Sequence, residues 1–402
     1  MKKFLILAAA AAIAAPAALA SQKAEPVNPD STGYKFTIVK SVPTTSVKDQ
    51  NKSGTCWCFA TTSFFEDELL RKTGKTYDLS EMFSVYHCYD DKAKKYQRMG
   101  GTINFAQGGS ALDVPYVWEN YGVVPEEVYG GIQYGADGHD HYEMADLLTS
   151  YMKAIASPRK KLSPAWQKGL QGILDAYLGE LPTEFTYEGK KYTPKSFAES
   201  LPLNMDDYIS ITSWTHHPFY TWFPVEVADN WLWEKSYNVP MEEMKAIVDN
   251  ALEKGYPVVW SADVSEPGFK WNEGYAVLPE AKSEKDMDGT ELARWVKLSD
   301  KEREAEKYDF KKGPGKEQTV TQASRQEGLD NLETTDDHGM ELVGIATDQN
   351  GTRYYKVKNS WNTNQVYDGF FYVSEPYFLA KTMGIYVNKE ALPAATAKRL
   401  KK

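Results

Sequence analysis

The sequence predicts an α+β fold in which a helical lobe comes first, a β-rich lobe comes second, and a large inserted region lies between them. Three observations carry this. Apolar residues recur at three- and four-residue spacing through residues 56–71 and in segments after them, the period of a helix packed on a core. From residue 340 onward the pattern shortens to aromatic and β-branched runs separated by turn signals such as Gln349-Asn350-Gly351. No segment repeats, which removes solenoids and propellers, and helices followed by strands is the order of an α+β chain.

Taken in order, residues 1–20 read as a secretory signal peptide: Lys2 and Lys3 precede an apolar run over 4–15, and Ala18-Leu19-Ala20 closes the segment. The run is too short to span a bilayer of about 30 Å, and no Cys follows Ala20 to carry a lipid. The expected location is periplasmic or extracellular. Residues 21–45 form an extended lead-in. Residues 46–130 form the helical lobe, with Cys56 at a helix start just after Ser53 and Gly54, a second helix capped by Ser80, and a third opened by Gly108-Gly109-Ser110. Residues 131–240 read as an inserted, mainly helical region with no catalytic cluster. Residues 241–390 hold a helix at 241–254, a strand at 258–262, a charged excursion at 279–335 and strands near 340–346, 354–358, 369–373 and 384–387; residues 391–402 are a tail.

Composition narrows the function. A 42% hydrophobic chain of 402 residues can bury a real core, and no run approaches the roughly 20 apolar residues of a membrane span. Taking Lys2 and Lys3 from 46 basic residues leaves 44 against 56 acidic ones, a net charge of −12 after signal removal, which argues against a nucleic-acid or anionic-membrane surface. Peptides or proteins are the expected partners, with no cofactor. Three cysteines are too few for a disulfide scaffold; Cys58 and Cys88 are read as buried thiols. The pairs His139/His141 and His216/His217 lack a carboxylate or Cys at ligand spacing in the sequence, so no metal is expected. Glu66-Asp67-Glu68 reads as a solvated helix face.

One constellation carries chemistry. Gln50 precedes Cys56 by six residues within DQNKSGTCWCF, and His338 and Asn359 follow in DDHGM and NSW. Each is weak alone, since a buried Cys or a structural His is common. Together they fill four roles: a helix-end thiol, an amide donor before it, an imidazole leading one strand, and an Asn ending the next.

On these residues the sequence resembles the papain superfamily of cysteine peptidases, in its bleomycin hydrolase and aminopeptidase C branch. LSEM at 79–82, QGGSALDVPYVWENYGVVPEEVY at 107–129 and VKNSWNTNQVYDGFFYVSEPYF at 357–378 extend the likeness over most of residues 45–390. The separation of 282 residues from Cys56 to His338 exceeds the roughly 130–150 of compact members, which is what the branch's insertion implies. The resemblance implies a two-lobed fold with a cleft, Cys56 as nucleophile, His338 as base, Asn359 orienting it under Trp361, and Gln50 donating to the oxyanion. It further implies that Gly108 and Gly109 let a substrate backbone approach the cleft wall, that the activity is that of an aminopeptidase, and that the protein is a homo-hexamer.

One departure bears on specificity. Members of this branch run a C-terminal arm into the cleft, whereas ALPAATAKRLKK is shorter and more basic than that arm. An endopeptidase on the same scaffold, a catalytically idle peptide-binding protein and a cell-wall amidase are the alternatives.

Overall fold

In the segment CWCFATTSFFEDELLR the large apolar residues are spread around more than half of the helix circumference, and such a helix has to be buried on most sides. The computed structural model describes residues 33–156, 161–308 and 313–400; the signal segment at 1–20 lies outside them. It runs this segment as α1 (Cys56–Thr73), buried from Trp57 to Leu69 and closed by Gly74, whose left-handed φ of 71° lets its N–H reach Leu70 O. Before it, β1 (Thr37–Ser41) is a sheet strand rather than a loose lead-in: it pairs with the strand at 338–347, and Tyr34 and Phe36 pack into an aromatic cluster with Tyr354 and Tyr372.

The rest of the helical lobe follows the expected order. α2 (Glu81–Arg98) starts at Ser80, whose hydroxyl accepts the Phe83 N–H. Next come α3 (Asp113–Tyr121), α4 (Tyr142–Ala156) and α5 (Ala165–Leu178), the hairpin of β2 (Phe185–Tyr187) with β3 (Lys190–Tyr192), and α6 (Pro194–Ser200). These share one core with α1, built on residues such as Phe64, Phe65, Met82, Leu148 and Leu174.

The inserted region is therefore helical only as far as Ser200. From Tyr208 it adds β4 (Tyr208–Thr212), β5 (Trp222–Pro224) and β6 (Lys235–Asn238) to the main sheet. Alternating apolar residues in YISIT bury both faces of β4, which a helical reading of the stretch overlooks.

The second lobe comprises α7 (Met241–Glu253), β7 (Val258–Ala262), β8 (Phe269–Lys270), β9 (Tyr275–Ala276), α8 (Gly289–Trp295), α9 (Asp300–Glu306), α10 (Gln322–Asp330), β10 (His338–Thr347), β11 (Arg353–Lys358), β12 (Phe370–Ser374), α11 (Glu375–Lys381), β13 (Thr382–Asn388) and α12 (Ala394–Leu400). The strands run β5-β6-β4-β13-β7-β10-β11-β12-β9-β8, with β1 also on β10. Val259 and Tyr386 face the α1 core, while Val258, Trp260, Ile385 and Val387 face the α7 core, so the sheet separates the two helices. The C-terminal α12 lies on the α7 side: Ala397 and Leu400 pack there, and Thr396 and Arg399 both bond Glu243.

Within the excursion at 279–335, α10 is anchored rather than loose. Arg325 is buried, donates to Ser213 O, Leu379 O and Thr382 O, and lies over Trp214 at 4.1 Å. The acidic run of α1 also departs from expectation, because Glu66, Asp67 and Glu68 are fully buried. Asp67 accepts the Thr45 N–H and faces Lys358 at 3.5 Å, Glu66 accepts the Leu79 N–H at 2.8 Å, and Glu68 holds Arg71, Tyr208 and Asn388. Three consecutive acids cover three directions around a helix that is enclosed on all of them. They tie α1 to the sheet.

Candidate active site

The topology explains how residues distant in sequence meet. Cys56 is the first residue of α1, His338 the first of β10, and Asn359 directly follows β11. Because β10 and β11 are antiparallel, with Glu341 opposite Lys358, the start of one and the end of the other lie side by side at one end of the sheet. There His338 Nε2 lies 2.7 Å from Asn359 Oδ1. That same oxygen accepts the Ser360 backbone N–H at 2.8 Å, and an N–H can only donate, so the amide orientation is fixed and Nε2 must carry the proton. Nδ1 is left as the proton acceptor and has no hydrogen bond among the described residues.

The sulfur is held from two sides. The backbone N–H groups of Gly339, next to His338, and of Trp57, in the first turn of α1, act on the Cys56 thiol electrostatically and favour its thiolate. Gly339 is needed for that approach, since a Cβ there would sit 3.1 Å from Trp57 Cα and 3.4 Å from Cys56 O.

Burial works against ionisation of either group alone. It pushes the Cys56 thiol up to about 11, helped by the charges of Asp336 and Asp229, and it pushes the His338 imidazole down to about 4, against the Asn359 hydrogen bond. Each group is thus neutral when its partner is neutral. Transfer of the thiol proton to Nδ1 creates opposite charges together in a low-dielectric site, where their attraction offsets the cost of burial. A thiol, an oriented imidazole and backbone donors at the sulfur can perform nucleophilic acyl transfer.

The remaining expected residues frame this pair. Trp361 stacks on His338 with ring centroids 4.5 Å apart and 29° between planes, and is itself braced by Trp271 and Phe269. Buried Gln50 is aimed by its own bonds: Oε1 accepts from Ser360 Oγ and Nε2 gives one N–H to Ser53 O, each at 2.7 Å, leaving the second Nε2 hydrogen to donate. Gly109 packs on Trp57, where a Cβ would come within 2.8 Å of the indole, and the indole N–H is held by Gln107 O. Gly108 is covered, because a Cβ on it would lie 2.0 Å from Asp229 Oδ2. Lys92 reaches the Gly108 carbonyl from behind.

Asp229 and Asp336 are site residues that the sequence analysis did not single out. Asp336 lines two cavities: one of about 650 Å³ that it shares with Asp229, Glu226 and Leu332, and a smaller one of about 70 Å³ beside Gly109, Ala111 and Met383. The doubled acid in Asp336-Asp337-His338 was a visible signal. Asp229 carried none, since nothing local announces that the loop between β5 and β6 folds onto Gly108.

The other candidates separate. All three cysteines are free, and Cys58 and Cys88 are buried as expected. His139 and His141 are buried. His216 and His217 gain the carboxylate that the sequence did not place near them: their Nε2 atoms sit 2.8 and 3.0 Å from the two Glu226 oxygens. Direct ring–carboxylate hydrogen bonds account for that grouping.

Known proteins share these features. The papain family cysteine protease model matches residues 34–163 and the Peptidase C1-like family model matches 281–402. Aminopeptidase C of Lactococcus lactis subsp. lactis (strain IL1403) is 25% identical over 386 residues, covering 86% of this chain and 81% of the relative. Aminopeptidase G of Lactobacillus delbrueckii subsp. lactis is 23% identical over 394 residues, covering 87% and 82%. The crystal structure of PepW from Lactobacillus rhamnosis HN001 superposes with a TM-score of 0.64 at 20% identity, over 91% of this chain and 84% of that one, and shows the same fold. A thiol–imidazole–amide site on a papain-like fold, matched along most of its length by these relatives, makes the chain a papain-like cysteine-type peptidase that is similar to the aminopeptidase C proteins.

Proposed function

We propose that the protein is an exported aminopeptidase in which Cys56 is the nucleophile, His338 the acid and base, Asn359 the group that orients the imidazole, and Gln50 an oxyanion donor. The observation that carries the assignment is a pair of contacts at one end of the sheet: Asn359 Oδ1 on His338 Nε2 at 2.7 Å, and the neighbouring Gly339 packed against the Cys56–Trp57 backbone at the start of α1. Nδ1 takes the thiol proton, and sulfur attacks the carbonyl carbon of the first peptide bond. The carbonyl π electrons move to oxygen, where the Cys56 N–H and the free Gln50 hydrogen stabilise the charge. Collapse expels the amine, which leaves with the proton from Nδ1, and the acyl group remains on sulfur as a thioester. Neutral His338 then deprotonates water, hydroxide adds to the thioester, and the carboxylic acid departs as sulfur regains its proton through Nδ1.

The restriction to the first residue is supported by the names of the relatives, five of which share the word aminopeptidase with the two above across most of their length. Export is supported by the charge–apolar–small pattern of residues 1–20. A homo-oligomer is the family expectation.

Mass spectrometry of products from matched peptides with free and acetylated N-termini tests the activity, with Cys56→Ala as control. Stepwise loss of N-terminal residues from the free peptides alone is the expected result, with none in the variant. Internal cuts in both peptides would make the protein an endopeptidase. Full turnover by Cys56→Ala would remove the nucleophile assignment. N-terminal sequencing of protein recovered outside the cytoplasm is expected to begin at Ser21.

A further inference from the structure

We propose that Asp336 and Asp229 form the receptor for the α-ammonium group of the substrate, so that the cleft accepts the first residue of a peptide and closes against any residue before it. The proposal rests on the aminopeptidase reading above and names the residues that would enforce it.

The position is set by covalent geometry. In an aminopeptidase substrate one tetrahedral carbon separates the ammonium nitrogen from the carbonyl carbon that sulfur attacks, so the counter-charge has to stand at the nucleophile and not at a remote subsite. Asp336 is two residues before His338 and is the acid with the larger electrostatic effect on Cys56, followed by Asp229. The two acids also act on each other, and both line the larger cavity.

Their partners differ from those of the fully buried acids, and Asp336 and Asp229 are both half-buried. Asp336 has no hydrogen bond or ion pair among the described residues. Asp229 uses Oδ1 to accept from Asn104 Nδ2 at 2.9 Å, with Lys92 as its nearest favourable charge, while Oδ2 rests on Gly108. Burial, followed by the charges of Asp229 and Asp337, pushes Asp336 up to about 7, and burial also raises Asp229. An arriving ammonium relieves both effects by drawing the pair into its charged form.

The loop that carries Asp229 is built to hold it in place. Asn230 Nδ2 bonds Val225 O at 3.1 Å and Glu234 O at 3.0 Å, and its Oδ1 accepts the Glu234 N–H at 3.1 Å, which closes the loop between β5 and β6 over the glycine wall. Asp229 Oδ2 lies 2.0 Å from where a Gly108 Cβ would stand, so the carboxylate covers the glycine wall along which the backbone of a preceding residue would run. This favours a terminal ammonium over the ammonium of a lysine side chain in a longer peptide, although the chemistry recognised is the same. The described C-terminal segment does not reach this place, since α12 is docked on α7 across the sheet.

The test measures kcat/KM for wild type, Asp336→Asn, Asp229→Asn and the double variant on three peptides: one with a free N-terminus, its acetylated form, and an acetylated form carrying Lys immediately before the scissile bond. Wild type is expected to prefer the free peptide. Each Asn variant should lose roughly tenfold to a hundredfold on it, mainly through KM, as removal of a charge-assisted bond implies, so that the preference for the free over the acetylated peptide shrinks by the same factor. Thermal midpoints within a few degrees of wild type exclude misfolding as the cause. Variants that keep the wild-type preference would overturn the pocket while leaving the aminopeptidase reading intact. Equal cleavage of free and acetylated peptides by wild type would overturn both. Cleavage of the acetylated Lys peptide, lost in Asp336→Asn, would reassign the pair to side-chain recognition and overturn the terminal receptor.

Discussion

Two regions of this molecule draw carboxylates in from solvent, one burying them fully and the other half-burying them, and they pair them in opposite ways. Where α1 meets the sheet, each acid has a partner within the chain: Asp67 and Glu341 share Lys358, Ser63 donates to Glu341 Oε2 at 2.6 Å while Oε1 has no hydrogen bond among the described residues, and Glu68 is bonded by Arg71, Tyr208 and Asn388. In the cleft, Asp336 has neither a cation nor a hydrogen bond among the described residues, and Asp229 keeps one oxygen for Gly108. A buried acid paired by cations and donors of the chain serves the fold; a half-buried one without such a pair is available to a ligand. Both regions raise carboxylate pKa values, so the shifts alone do not tell them apart. The partners do.

The largest consequence falls on the paired region. Lys358 is 3% exposed and is the only cation within ion-pair distance of Asp67 or Glu341 among the described residues. Lys358→Met leaves two acids facing each other without compensation, which costs about 3–5 kcal/mol when one partner of a buried ionic group is removed. Denaturant unfolding should show that loss. A loss under about 1 kcal/mol would mean that the acids are neutral and that the network is a hydrogen-bond device.

A second consequence concerns pH. Glu66 and Glu81 flank Lys48, and burial pushes each up to about 8 against the attraction of that lysine. A carboxyl raised on folding binds more protons in the folded chain than in the unfolded one. Its contribution to stability is therefore complete below the ordinary value near 4.5 and is lost as pH rises toward about 8. Unfolding free energy measured from pH 5 to 8 should fall with this slope, and Glu66→Gln should flatten it. An unchanged slope in that variant would place the titration elsewhere.

Within the catalytic set, Asn359→Ala should lower kcat by roughly tenfold to a hundredfold with little change in KM, because the lost bond positions the base and does not hold substrate. A change confined to KM would show that Asn359 acts on binding instead.

The same contrast explains what could be read from the sequence. Cys56, His338 and Asn359 were legible because each sits at the end of an element whose periodicity marks its boundary: a helix start after Ser53-Gly54, the head of β10, the residue after β11. The α2 cap at Ser80 was legible for the same reason. Glu66-Asp67-Glu68 was misread as solvated because helix spacing says which residues share a face and not whether that face meets water; here the answer came from Lys358 and Asn388, about 290 and 320 residues further along the chain. Asp229 was invisible on similar grounds. Its neighbour Gly108 lies 121 positions earlier, and Asp229 stands in the turn between two edge strands, β5 and β6, in a stretch read as mainly helical.

The smallest effect is the one that most directly separates the two regions. Asp336 raises the Cys56 thiol by charge, at a distance, without a bond to it. Asp336→Asn removes that charge, so the thiol should ionise at lower pH, and the midpoint of iodoacetamide alkylation against pH should move down by about one unit or less. The same change deletes an acid that folding holds above its ordinary value, so it should cost no stability at pH 8 and should add some, the reverse of the Lys358 variant. A downward alkylation midpoint together with a maintained or raised unfolding free energy is the signature of an unpaired acid facing the nucleophile. An unchanged midpoint would separate Asp336 from the sulfur electrostatically, and a loss of several kcal/mol would move it into the class of acids that hold the fold.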